Sequence, residues 1–271
     1  MTDDSRRTYA THLLRFPEYF EQLGYGGEHC SSAITREMVL RFKFEGVGYR
    51  GKNRGQPLAS GTRAMDLSLL RSFLAWERSE LALDQRLFRL RSSPTNRRWL
   101  EGKKELTALM NAADTEAFRA ALALMGYGGL RSTEVHAALV ADLSLVFNGR
   151  STVKVRKGKG DEPRTVVLPP LVRNVLLAAI AGKKAPEQRI YAWSRAKLAE
   201  DLDRACRKAG TVHYSPDDLR RTYAALMHQA GVRIEEIRQQ MGHANIGDTR
   251  AYIGPVDATK AVDQFEAYLT V

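Results

Sequence analysis

LSLVFNGRSTVKVRKGKGDEPRTVVL, residues 143–168, is where the chain changes period. Val146, Val153, Val155, Val166 and Val167 favour extended backbone, and Asn148-Gly149 and Gly158-Lys159-Gly160-Asp161 are turn signals, so two or three short antiparallel strands are expected. Helical spacing prevails on both sides. Upstream, Tyr9, Leu13, Phe16 and Phe20 mark a helix over 5–23, and Met38, Val39 and Phe42 mark one over 35–45 behind the cap Thr35. Leu69, Leu70, Phe73, Leu74 and Trp76 mark a third behind Ser60, and the pattern resumes over 101–112 and 115–126. Downstream, helices are expected over 170–182, 193–209, 216–230, 233–241, 246–252 and 256–269. The predicted fold is mainly α with a small antiparallel β-sheet. It comprises a helical N-terminal domain over residues 1–92 and a mixed α/β domain over 98–271, parted near Ser92–Asn96, where Pro94 and polar residues interrupt the apolar pattern.

Composition limits the chemistry. The 271 residues are 44% apolar and 27% charged, enough to bury a proper core. Cys30 and Cys206 are too few and too far apart for a disulfide framework or a thiolate metal site. The start of the chain has no signal-peptide core, and no run reaches the roughly 18 to 20 apolar residues of a membrane span, which predicts a cytoplasmic protein with no membrane partner. Lys and Arg total 42 against 31 Asp and Glu, a formal charge of +11 that favours a polyanion. The excess falls in windows free of acids. Residues 46–63 hold Arg50, Lys52, Arg54 and Arg63; residues 85–98 hold Arg86, Arg89, Arg91, Arg97 and Arg98; residues 143–160 hold Arg150, Lys154, Arg156, Lys157 and Lys159. Each window alone reads equally as a solvated loop, but together they fit the extended phosphate array of a duplex.

The second block carries groups suited to phosphate chemistry. GYGGLRSTEV (126–135) puts Arg131 and Glu134 at a helix start, directly after glycines that allow close approach of a ligand. In SPDDLRRTYAALMHQAG (215–231), Ser215 is an N-cap, Pro216 suits the first helical position, and Arg220 and Arg221 follow about one turn in. An arginine here either pairs with a carboxylate or grips two phosphate oxygens. GHANIGDTRAYIG (242–254) places His243 nine positions ahead of Tyr252. Read alone, Tyr252 is a half-buried core aromatic and His243 a helix-start histidine bonded to local backbone.

The ordered series GLRSTE, strand-turn-strand with GKG, SPDDLRRT, MGH and a tyrosine nine residues on resembles the tyrosine recombinase (phage integrase) family over about residues 100–260. The helical N-terminal block resembles that family's core-binding domain, and the chain resembles the short, two-domain members. The resemblance implies a site-specific recombinase or integrase that integrates or excises a phage or mobile element without metal, ATP or other cofactor. Tyr252 would attack a DNA phosphodiester, leaving a 3′-phosphotyrosine that conserves the bond energy for religation. Arg131 and Arg220 would bind the nonbridging oxygens, His243 would donate to a phosphate oxygen, and Lys159 would protonate the departing 5′-oxygen, with Lys157 its rival in the same loop. Glu134 would orient an arginine or histidine. DNA contacts are expected from Arg50, Lys52, Arg54, Arg63, Arg89, Arg91, Arg97, Arg98 and Lys157.

Asp217 stands where the family usually has histidine, and Arg221 where it has another. A carboxylate is repelled by phosphate, so Asp217 is expected to bond Arg131 or Arg220 and hold it in register, or to support the helix N-terminus. His213 is an alternative donor. The implied partners are double-stranded DNA core or attachment sites, three further protomers in a homo-tetramer, and accessory DNA-bending or directionality proteins; residues 256–269 would form a C-terminal exchange helix. Three other readings share these motifs: a type IB topoisomerase-like relaxing enzyme, a catalytically weak DNA-binding regulator, and a transposase-like integrase of a mobile element, which differs in biology more than in mechanism.

Overall fold

The computed structural model describes residues 3–22, 34–47, 55–90, 100, 102–146, 150–156, 163–183 and 185–253. The chain divides into two compact units, Met1–Thr95 and Asn96–Val271.

The first unit is helical: α1 (Asp3–Leu13), α2 (Arg15–Gln22), α3 (Arg36–Glu45), α4 (Ser60–Trp76), a 3-10 turn (Glu80–Leu83) and α5 (Gln85–Phe88). The single helix expected over 5–23 is broken at Leu14, and Pro17, which lacks a backbone N–H, sits in the first turn of α2 where none is needed. Thr35 caps α3 by accepting from the Met38 N–H at 3.3 Å. Ser60, expected as the cap of α4, is instead its first residue, and Ala59 holds the cap position. Phe16, Tyr19, Phe20, Phe42, Leu67, Leu70, Leu74, Leu87 and Phe88 are buried together. Phe42 anchors this core, with Phe16 at 4.5 Å and Tyr19 edge-on at 5.3 Å between ring centroids. Beneath them Asp66, fully buried, accepts from Arg15 at 3.0 and 3.1 Å and bonds His12, so its charge is matched where water cannot reach it. Trp76, expected on the apolar face, is 76% exposed at the end of α4.

The second unit runs α6 (Lys103–Asn111), α7 (Glu116–Gly126), α8 (Ser132–Ala137), a 3-10 turn (Val140–Asp142), β1 (Leu143–Ser144), β2 (Ser151–Val155), β3 (Arg164–Leu168), α9 (Pro170–Ile180), α10 (Arg195–Ala209), α11 (Pro216–Gln229), α12 (Ile234–Met241) and α13 (Ile246–Ile253). The strands form an antiparallel sheet in the order β1-β2-β3, with Val153 opposite Leu143 on one side and Val166 on the other. Alternation turns Val153, Val155, Val166 and Leu168 inward. Helix α7 is buried from Ala120 to Gly126 and forms the centre of the core, packed on α6, α9 and α11. A smaller apolar cluster of Tyr223, Ala224, Ile237, Met241 and Ile253 clips α12 and α13 onto α11. The last expected helix, 256–269, lies outside the described residues. No described helix is long and apolar enough to cross a membrane.

Candidate active site

Helix α11 starts from a capping box. Asp218 accepts from the Ser215 backbone N–H at 2.8 Å, and Ser215 Oγ accepts from the Asp218 N–H at 3.3 Å. With Asp218 turned back to the cap, Asp217 and Arg220 are free to serve the site one turn on.

Arg220 is 1% exposed, an extreme position for a guanidinium. Its Nη1 donates to the Gly129 carbonyl at 2.6 Å and its Nη2 to the Met241 carbonyl at 2.7 Å, while Nε has no hydrogen-bond partner among the described residues. Two left-handed glycines make this seat. Gly129 (φ +64°) presses its backbone against Tyr223, whose ring a Cβ would meet at 2.4 Å, and Gly242 (φ +64°) ends α12 against Arg164, which a Cβ would meet at 2.7 Å. Arg131, the N-cap of α8, donates from Nη2 to the Gly242 carbonyl at 3.1 Å and from Nη1 to Glu134 at 3.0 Å. Both guanidinium groups are therefore held by the main chain of the turn after α12.

Glu134 is the buried hub of the cluster. Arg164 donates to both its oxygens at 2.8 Å in a fork, the Arg131 backbone N–H donates at 2.8 Å, and Arg220 Nη1 lies 3.6 Å away. Burial alone would raise its carboxyl, but the Arg164 bonds and charge outweigh that and hold it below the usual carboxylate range. One carboxylate thus serves three guanidinium groups. Burial and then repulsion from Arg131 lower the Arg220 pKa to about 10, the mark of a dry site short of negative charge.

His243, 6% exposed, follows Gly242. Its Nδ1 meets Thr249 Oγ1 at 2.9 Å, and burial, then the charges of Arg220 and Arg131, push its pKa down to about 4, so the ring is neutral near pH 7. The ring meets Tyr252 edge-on at 5.1 Å between centroids. Tyr252 donates its phenolic hydrogen to Asp217 Oδ1 at 2.8 Å, and the Arg221 guanidinium carbon lies 5.3 Å from its ring centroid. Burial, then the Asp217 bond, raise the phenol above its ordinary value.

Arg131, Glu134, Asp217, Arg220, His243 and Tyr252 are therefore gathered from α8, α11, the turn after α12 and α13. Asp217 corrects one expectation: it bonds Tyr252 and Arg221 Nη2 (2.6 Å) rather than Arg131 or Arg220. His213, the alternative donor, pairs instead with Asp203 at 2.9 Å on the surface. Arg164 went unseen in the sequence, although it shares strand parity with the inward Val166 and Leu168, and an arginine on an inward face demands a carboxylate. Lys157, Lys159, Arg50, Lys52, Arg54, Arg91, Arg97 and Arg98 lie outside the described residues. Arg89 is exposed, whereas Arg63 donates from Nη1 to the Lys43 and Phe44 carbonyls (3.2 and 3.0 Å), closing the end of α3 instead of reaching outward. Arg156, in the third basic window, is paired with the buried Asp142 at 2.6 Å. A separate groove of about 620 Å³, walled by apolar groups such as Leu168, Leu171 and Met227, contains none of the candidate catalytic residues. Among the described residues no cluster of His, Cys, Asp and Glu could hold a metal ion.

Comparison with known proteins adds an independent line. The phage integrase family matches residues 99–258. Tyrosine recombinase XerA of Saccharolobus solfataricus is 28% identical over 148 residues, covering 55% of this chain and 49% of the relative. The chain spans about half the length of the curated relatives it matches first. Among solved structures, the XerH site-specific recombinase bound to difH substrate in a pre-cleavage complex superposes with a TM-score of 0.66 at 20% identity, covering 97% of this chain and 79% of that one. The Tn1549 transposon integrase in complex with transposon right-end DNA gives 0.68 at 16% identity, covering 99% and 95%. At such identities the structural likeness speaks for the fold.

Proposed function

Since the chain belongs to the phage integrase family, we propose that it is a site-specific DNA recombinase that cuts and rejoins duplex DNA through a 3′-phosphotyrosine at Tyr252. The observation that carries this reading is the meeting of Tyr252, His243, Arg131 and Arg220 around a buried, electropositive seat.

A phosphodiester entering this seat supplies the negative charge that the crowded guanidinium groups lack. Arg131, about one-third exposed, offers its face to a nonbridging oxygen, and Arg220 offers the Nε hydrogen that finds no acceptor among the described residues. Such preorganised donors strengthen as charge builds on the pentacoordinate phosphorus, an effect of about 3–4 kcal/mol for one donor in comparable oxyanion sites. His243, neutral, adds a hydrogen bond to phosphate; Glu134 and Arg164 hold the two arginines in place. Lys159 is the proposed general acid for the departing 5′-oxygen.

Integration or excision of a mobile element is the setting we propose, a reading suggested by a structural neighbour that is a transposon integrase. The division into two units supports a helical DNA-clamping domain over 1–92 and a catalytic domain over 98–271. A homo-tetramer on two core sites, helped by accessory DNA-bending or directionality proteins and linked by exchange of residues 256–269, completes the proposal. The test is covalent trapping on nicked suicide duplexes: wild type should become linked to DNA, whereas Tyr252→Phe should bind equally and form no adduct. A crosslink in the phenylalanine variant would remove Tyr252 as the nucleophile.

A further inference from the structure

We propose that Asp217 is the proton acceptor for the Tyr252 nucleophile, a role that rests on the recombinase reading above. The geometry assigns each carboxylate oxygen a task. Oδ1 accepts the phenolic hydrogen at 2.8 Å, within the range required of a general base, and Oδ2 is held by Arg221 Nη2 at 2.6 Å. Arg221 in turn is braced by Asp218 at 2.8 Å, whose second oxygen is fixed in the Ser215 capping box. The base therefore stands on a closed chain of bonds at the rigid start of α11. The Arg221 charge, shared with Asp218, offsets part of that of Asp217, which lets a carboxylate sit beside a phosphate with less repulsion than an unpaired one would meet.

The step balances. As Tyr252 Oη forms its bond to phosphorus, the O–H bond breaks and the proton passes to Asp217 Oδ1. The P–O5′ bond breaks with its electron pair on the 5′-oxygen, which takes a proton from the general acid. In religation the 5′-hydroxyl attacks phosphorus and gives its proton back to the general acid, the P–Oη bond breaks, and Asp217 returns its proton to Tyr252. Burial keeps the resting phenol un-ionised, so transfer during attack is the open route. The opposite role is also definite: a carboxylate that merely parks the phenol would slow attack.

Among the described residues, the charged and titratable groups around the pair are Arg220, Arg221 and Asp218 from α11 and His243 from the turn before α13. His243, with its pKa near 4, stays neutral from pH 6 to 9, so it adds no slope there. The probe is a pool of nicked duplexes with a randomised centre, from which wild type captures its own site covalently. On that site, single-turnover cleavage is followed from pH 6 to 9. Asp217→Asn should bind DNA like wild type and cleave about 10²-fold more slowly near pH 7. Its rate relative to wild type should climb about tenfold per pH unit, because only the ionised phenol then attacks; Asp217→Glu should restore most of the rate. An Asp217→Asn enzyme as fast as wild type or faster would make the carboxylate a latch, and a slow one whose ratio to wild type is flat with pH would make it structural; either overturns the proposal. No capture by wild type would instead overturn the recombinase reading itself.

Discussion

The proton on His243 is placed from outside the site. Thr249, fully buried on α13, meets Nδ1 at 2.9 Å, and when its hydroxyl donates there the ring must carry its own hydrogen on Nε2, the hydrogen that the proposed function gives to a phosphate oxygen. Thr249→Val should therefore lower strand cleavage by about 10- to 100-fold, the range seen when a partner that fixes a ligand imidazole is lost, while Thr249→Ser should stay near wild type. Equal rates for the two variants in a suicide-substrate assay would rule this out. The same histidine leaves a signature in stability. Its folded pKa, about 4, lies below the ordinary 6.5, so between these values the unfolded chain binds a proton that the folded chain does not. The contribution is intact above pH 6.5 and is lost as pH falls toward 4, on the order of 3 kcal/mol. Subtracting the urea-unfolding free energy of His243→Asn from that of wild type at each pH isolates it; a difference that does not change over this window would contradict the assignment.

Among the elements, the turn that closes α12 bears most on the site, because its backbone holds Arg131 and Arg220 through carbonyls of Gly242 and Met241. Gly242→Ala should cost about 1–3 kcal/mol in the left-handed backbone alone and also displace Arg164, slowing cleavage. Gly210, equally left-handed (φ +67°) at the end of α10 but with open space around it, is the control: Gly210→Ala should lower stability by about 1 kcal/mol and leave the cleavage rate unchanged. Thermal melts and single-turnover rates on both variants separate the two effects. This contrast also marks how far the sequence could be read. The period change at 143–168, the cap Ser215 with Pro216, and the spacing from His243 to Tyr252 are local signals, and they located the sheet, α11 and the helical pair that presents histidine and tyrosine. The break at Leu14 has a local mark in Pro17, in the first turn of α2, which the apolar spacing over 5–23 does not register. The partners of charged groups were not legible, because they are set by packing across long separations: Arg164 finds Glu134 thirty residues away, and Asp217 finds Tyr252 thirty-five residues away.

At the scale of the whole chain, the formal charge of +11 predicts binding to DNA that weakens steeply with salt, with a slope of about −0.9 in log K against log salt for each phosphate contacted. Arg89→Ala should reduce the slope by about one, since Arg89 is exposed; Arg63→Ala should leave the slope alone and destabilise the first unit, since Arg63 closes α3. A shallower slope for Arg63→Ala in a filter-binding titration would reverse that assignment. The burial of Arg220 has a consequence for descent. Because its guanidinium satisfies two main-chain carbonyls inside the protein, a lineage that gave up cutting DNA would still be selected to keep this arginine for folding, whereas the half-buried Tyr252 would be released to drift first. If the recombinase reading holds, retention of the arginine among diverged relatives should report an intact fold and retention of the tyrosine a working enzyme; relatives that cut DNA without the tyrosine, or fold normally without the arginine, would break that rule.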